Sequence, residues 1–268
     1  MLSGFTETPT NLSTLKSLRI GCVKYLNARP LIRGWPGQVD FDHPSALCKR
    51  LAKVELDIAL VSSFEFLRNP IYRIVDDVSI SSAGPVYSVV VAYSGDISGI
   101  DEIELDPAAE TSGNLLRCLL AKLNLGPHII RSSTSQITAR RARLLIGDQA
   151  IRFRQRHPNE FHFWDLGEQW NKLADVPFVY ALWLIRPEVV EAKRIASRLR
   201  KLRDENLAKI DDLIGGEKDF DHDFCCRYYR ENLRFSFGKR EREGLKIFQK
   251  LCEKHDLIQK RDVKFELV

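Results

Sequence analysis

No stretch of about 18 consecutive apolar residues occurs in the chain, so no segment reads as a membrane-spanning helix. The first 18 residues are polar and rich in Ser and Thr, with no apolar core of signal-peptide length and no A-x-A-like cleavage site. That pattern predicts a cytoplasmic protein with residues 1–17 as a flexible tail. The six cysteines (22, 48, 118, 225, 226 and 252) form no C-x-x-C, and adjacent Cys225 and Cys226 staple nothing readily, which predicts buried or free thiols. G-x-G-x-x-G and the P-loop pattern are both missing, which argues against dinucleotides and nucleoside triphosphates. There is no G-x-S-x-G elbow and no motif around any cysteine, so a covalent nucleophile finds no support. His157 and His162 stand five apart and His222 lies near Cys225 and Cys226; neither spacing matches a zinc-ligand pattern, and no metal is expected.

A strong excess of one sign of charge is also missing. A net charge of +5 suits a small acidic molecule and falls well short of demanding nucleic acid. Basic residues do cluster at Arg140-Arg141, Arg143, Arg152, Arg154, Arg156 and along 193–203, where helical spacing reads them as solvated faces. What the chain does have is an ordinary globular make-up, 44% hydrophobic and 29% charged over 268 residues, enough for one large domain or two modest ones.

The first organised stretch is 19–31. Ile20, Cys22 and Val23 read as a short buried strand, Asn27 as a helix cap, and Pro30 as a first-turn residue of that helix. A strand over 39–41 follows, then a helix capped by Ser45. The apolar run Leu56-Asp57-Ile58-Ala59-Leu60-Val61 reads as a parallel strand covered on both sides, with Ser62-Ser63 opening another short helix. Strands are expected over 71–75, from 78 and along 86–93. A second series then runs: strand 102–105, helix 111–123, strand 128–131, helix 137–143, strand 144–146, a helix from Gln149 and a short helix 168–174. The run 178–185 is a long β-prone segment resembling 86–93.

Alternating strands and helices in two series predict an α/β protein of two lobes. The first lobe is built from 18–90 and the second from 91–180; residues 181–268 return to the first lobe and add helices, beginning with one that has Pro187 at its first position and ends at Gly215-Gly216. A ligand cleft between the lobes is the usual consequence. Small polar residues recur at the C-terminal ends of the expected strands: Asn27, Ser62-Ser63, Ser81-Ser82, Thr111-Ser112 and Gly147-Asp148. Each alone reads as a turn or cap. Together, at equivalent places in two lobes, they outline a cleft of hydroxyls, amides and helix N-termini that would accept carboxylates.

The segments Tyr25-Leu26-Asn27-Ala28-Arg29-Pro30-Leu31, Leu56-Asp57-Ile58-Ala59-Leu60-Val61-Ser62-Ser63, Ser82-Ala83-Gly84-Pro85-Val86-Tyr87-Ser88-Val89, Thr111-Ser112, Leu144-Leu145-Ile146-Gly147-Asp148 and the stretch 164–183 resemble the chorismate dehydratase family of the futalosine route to menaquinone. The resemblance runs over about 18–185, and the C-terminal helices match only in character. It implies the two-lobed type II periplasmic-binding-protein-like fold, used inside the cell as an enzyme. The implied reaction is a 1,2-elimination of water from chorismate, giving 3-[(1-carboxyvinyl)oxy]benzoate without redox cofactor or metal. The enolpyruvyl carboxylate of the substrate would take the proton. Asn27 is the implied catalytic residue; Ser62, Ser82, Gly84, Thr111, Ser112, Gly147 and Asp148 are the implied contacts of this dicarboxylate. Two other uses of the architecture stay open: a non-catalytic solute-binding protein for small anions, and the sister menaquinone enzyme acting on cyclic dehypoxanthine futalosine. The chain also departs from the family pattern. Where the family usually has S-S-R-T-S, it reads Ala108-Ala109-Glu110-Thr111-Ser112, with Glu110 in place of a positive charge.

Overall fold

A computed structural model describes residues 15, 17–131 and 136–268. The expected tail lies almost wholly outside them, but Leu15 within it is buried against the core. The chain opens with β1 (Ile20–Val23), a 3₁₀ turn (Leu26–Ala28) and α1 (Arg29–Ile32). β2 (Val39–Asp42), α2 (Pro44–Ala52), β3 (Ile58–Ser62), α3 (Ser63–Arg68) and β4 (Arg73–Ser82) follow. The second series is β5 (Val89–Tyr93), β6 (Glu102–Leu105), α4 (Glu110–Lys122), β7 (His128–Ile130), β8 (Arg141–Ile146), α5 (Gly147–Arg156), β9 (His162–Asp165) and α6 (Leu166–Ala174). β10 (Phe178–Ile185) leads to α7 (Ala192–Ala208), α8 (Ile210–Gly215), α9 (His222–Arg227), a π-helical turn (Tyr228–Asn232) and α10 (Lys239–Lys254).

The strands form two five-stranded sheets, ordered β2-β1-β3-β10-β4 and β7-β6-β8-β5-β9. In the first, β1 runs parallel to β2 and β3, and β10 runs antiparallel to β3 and β4. In the second, β6 runs parallel to β7 and β8, and β5 runs antiparallel to β8 and β9. The two long β-prone runs seen in the sequence are therefore the two strands that reverse direction, each entered just after the chain crosses from one sheet to the other. This is the two-lobed α/β, periplasmic-binding-protein-like architecture. β3 and β10 are buried along nearly their whole length, as central strands covered on both faces must be. α10 lies against both β10 and α4, so the C-terminal helix touches elements of both sheets.

Local corrections to the sequence reading have identifiable causes. Asn27 is not a cap: it sits inside the 3₁₀ turn, and neither that turn nor α1 has a side-chain cap. α2 starts at Pro44, one residue before Ser45, with His43 in the cap position. The helix expected over 137–143 is a turn running into β8. There Ala142 and Leu144 are buried while Arg141 and Arg143 pair with Glu102 and Glu104 of the neighbouring strand. Pro187 precedes α7 rather than opening it, and the expected long helix breaks at Lys209. Arg203, read as part of a solvated face, is buried and donates to the carbonyls of Asp77 and Phe235. β9, an edge strand, went unread because His162-Phe163-Trp164-Asp165 shows no clean alternation. Among the described residues, no helix is long and apolar enough to cross a membrane.

Candidate functional site

A cleft of about 580 Å³, open mouth included, lies between the C-terminal ends of strands from both sheets. Tyr25 and Asn27 reach it from the turn after β1, Ser62 from the end of β3, Ser88 and Val89 from the start of β5, Thr111 and Ser112 from the first turn of α4, Gly147 from the start of α5, and Tyr180 from β10. This placement follows from topology: in α/β sheets the polar loops at strand ends are the only backbone free to line a ligand site. In the first turn of α4 the Glu110 amide donates to the Ala108 carbonyl, while those of Thr111 and Ser112 have no carbonyl one helical turn before them, which leaves donors and a positive dipole end beside the cleft.

Polar contacts join elements of the two sheets around the cleft. The hydroxyls of Ser62 and Thr111 hydrogen-bond, and Thr111 Oγ1 lies 3.2 Å from the Tyr180 carbonyl it donates to. The Leu26 amide donates to Asp148 Oδ1 at 2.8 Å. Asp165 accepts from the amides of Val86 and Tyr87, at 3.0 and 2.8 Å, while capping α6 through Gly167 and Glu168. Burial pushes the carboxyl groups of Asp148 and Asp165 upward from their ordinary range, and the amides that donate to each oppose the shift. Tyr87, held by that clamp, has φ +66°, and the Arg154 guanidinium lies 3.9 Å over its ring.

Of the residues expected to touch a ligand, Asn27, Ser62, Thr111, Ser112 and Gly147 line the cleft. Ser82, Gly84 and Asp148 are not part of its lining. Ser82 is buried behind it, donating to the Gly84 carbonyl at 3.1 Å and sharing a 3.2 Å hydrogen bond with Tyr180. A Cβ on Gly167 would meet the Gly84 carbonyl at 2.6 Å and Ser82 Oγ at 2.8 Å, so these groups form a tight structural knot under Tyr180. Asp148 is occupied by Leu26. Sequence reasoning missed Tyr25, Ser88 and Tyr180. The last two fall within β-prone runs, where polar side chains read as strand residues and carry no separate signal.

Asn27 Oδ1 is buried with no hydrogen-bond partner among the described residues, an unsatisfied acceptor on a residue that lines the cleft. Glu110 is the one charged side chain in the lining among the described residues, and Arg68 neutralises it, with donor–acceptor distances of 3.2 and 3.3 Å. Arg68 also pairs with the buried Glu65, whose carboxyl is pushed up by burial. Cys48, Glu65 and Glu110 bring ligand-type atoms within 4.8 Å of one another. With Arg68 bonded to both carboxylates, they are a partly exposed ion-pair cluster rather than a prepared cation cage.

Comparison with known proteins gives the family and the fold. A family model described as menaquinone biosynthesis matches residues 18–254. A chorismate dehydratase from Thermus thermophilus is 28% identical over 251 residues, covering 85% of this chain and 93% of that protein. Among solved structures, a protein of Archaeoglobus fulgidus superposes with a TM-score of 0.68 at 18% identity, covering 90% of this chain and 98% of its own. The alkanesulfonate-binding protein of Xanthomonas axonopodis pv. citri, bound to MOPS, superposes with a TM-score of 0.65 at 15% identity, covering 92% and 95%. These structural likenesses concern the fold.

Proposed function

The chain belongs to the menaquinone biosynthesis family, and from that membership we propose that it is a lyase that removes water from chorismate to give 3-[(1-carboxyvinyl)oxy]benzoate. The observation that carries the reading is the near end-to-end similarity to a chorismate dehydratase in a chain whose Asn27 lines the interlobe cleft and carries a buried, unsatisfied acceptor. Residues 18–90 and 181–268 would form one lobe and 91–180 the other, closing on the substrate.

In mechanism, the ring C–H proton passes to the substrate's own enolpyruvyl carboxylate, the C–H electrons become a ring π bond, and the C–O bond breaks. Aromatisation drives the step, so the protein has chiefly to orient the substrate and exclude water. The α4 N-terminus with Thr111 and Ser112 receives a carboxylate, and Ser62 is held in place by its bond to Thr111. Asn27 orients the ring and its leaving group. Incubating the purified protein with chorismate is the test: loss of substrate with formation of the benzoate product is expected, and no loss of substrate with no new aromatic absorbance refutes the reading.

A further inference from the structure

Tyr228 opens the π-helical turn that follows α9, far in the sequence from the strand-end residues of the cleft. It is fully buried, its ring stacked on Phe224 at a centroid distance of 5.4 Å, and its hydroxyl donates to Ser88 Oγ at 2.7 Å. Ser88 lines the cleft. Because Ser88 Oγ accepts from Tyr228, its own O–H points elsewhere, and no acceptor for it exists among the described residues. On the other side, the Asn27 carboxamide faces the same phenol oxygen, while Asn27 Oδ1 has no partner. One buried phenol thus sits between a donor lacking an acceptor and an acceptor lacking a donor, both on residues that line the cleft. A carboxylate would satisfy Ser88 alone and an ammonium Asn27 alone. A hydroxyl group satisfies both, accepting from Ser88 and donating to Asn27 Oδ1.

We infer that Tyr228 is a positioning residue that aims Ser88 and Asn27 at one hydroxyl group of the bound substrate; resting on the dehydratase reading, that hydroxyl is the one that leaves. As the C–O bond breaks, its electron pair stays on oxygen, and the Ser88 hydrogen bond, reinforced by Tyr228 behind it, offsets the growing charge. The departing hydroxide takes up one proton, equivalent to the one removed from the ring, so chorismate equals product plus water.

The test compares Tyr228→Phe, Ser88→Ala and the double variant with the wild type, reading kcat/KM for chorismate and the inhibition constant of the product, which lacks the hydroxyl. Tyr228→Phe keeps the stacked ring and is expected to lower kcat/KM about 10-fold, as loss of one buried hydrogen bond does. Ser88→Ala, which leaves the aromatic core untouched, is expected to lower it at least as much. In the Ser88→Ala background the Tyr228 change loses its effect, to within about two-fold. Product affinity stays within about two-fold throughout, which a merely structural role would not allow. Wild-type protein that leaves chorismate intact overturns the dehydratase reading and this inference with it. Active wild type with unimpaired variants, or variants that lose product affinity in step with turnover, overturns this inference alone.

Discussion

Ser62 closes a central strand of the first sheet, Thr111 opens a helix of the second, and their hydroxyls are hydrogen-bonded to each other in the interlobe cleft. Thr111 Oγ1 also lies 3.4 Å from the Phe64 amide and 3.2 Å from the Tyr180 carbonyl. A single hydroxyl therefore ties β3, α3 and β10 to α4. Replacing Thr111 by Val keeps the shape and leaves Ser62 and the Tyr180 carbonyl unpaired. The expected cost is about 1–3 kcal/mol in urea denaturation. Turnover of chorismate falls at least 10-fold on the proposed reading, because the α4 N-terminus loses its fixed position.

Gly147 and Tyr25 form the second join. Gly147 has φ +57°, and a Cβ there would stand 2.8 Å from the Tyr25 ring. Gly147→Ala is expected to destabilise by about 3 kcal/mol, combining left-handed strain with overpacking. Trimming Tyr25 to Ala in the same chain removes the overpacking but not the strain, so the cost of Gly147→Ala measured in the Tyr25→Ala background drops by about half. Equal costs in the two backgrounds contradict this account.

These two joins show what a sequence can and cannot reveal. Ile58-Ala59-Leu60-Val61 and the 178–185 run are legible because burial on both faces demands unbroken apolar residues. Ser62, Thr111 and Gly147 are legible as strand-end and helix-start residues. Their partners are not: the Ser62–Thr111 bond spans 49 residues and the Tyr228–Ser88 bond 140, and nothing local encodes such pairings. Asn27 reads as a cap because Asn before a helix usually is one, yet its carboxamide faces Tyr228 from a distant turn. Likewise, Arg141 to Ile146 reads partly as helix because the acids that pair its arginines, Glu102 and Glu104, belong to another strand.

Asp148 makes stability depend on pH in a stated direction. Burial raises its carboxyl above the ordinary value, so between that value and the raised one the folded state holds more proton than the unfolded state. Stability contributed by this group is therefore present at low pH and declines as pH rises through that window. Asp148→Asn can keep accepting from the Leu26 amide while removing the charge. The difference in unfolding free energy, variant minus wild type, is expected to grow in favour of the variant from about pH 4 upward and then level off. A difference that shrinks over the same range contradicts the assignment.

Glu110 is the lining carboxylate where the resembled family usually has a positive charge, and it opposes a dianionic substrate except where Arg68 screens it. Glu110→Gln removes the repulsion and leaves Arg68 paired with Glu65 alone, so its guanidinium field reaches the cleft less opposed. KM for chorismate is expected to fall about 2–5-fold, and the gain to shrink at high salt, where charges beyond a few ångströms are screened. Arg68→Ala acts in the other direction, leaving Glu65 and Glu110 unneutralised; KM rises and the fold is weakened because Glu65 is buried. Steady-state kinetics at about 50 and 500 mM salt separate the cases, since a local packing effect of either change carries no such salt dependence. If Glu110→Gln raises KM instead, Glu110 itself contacts the substrate, and the proposed dianion is bound with a hydroxyl rather than a carboxylate at that end of the cleft.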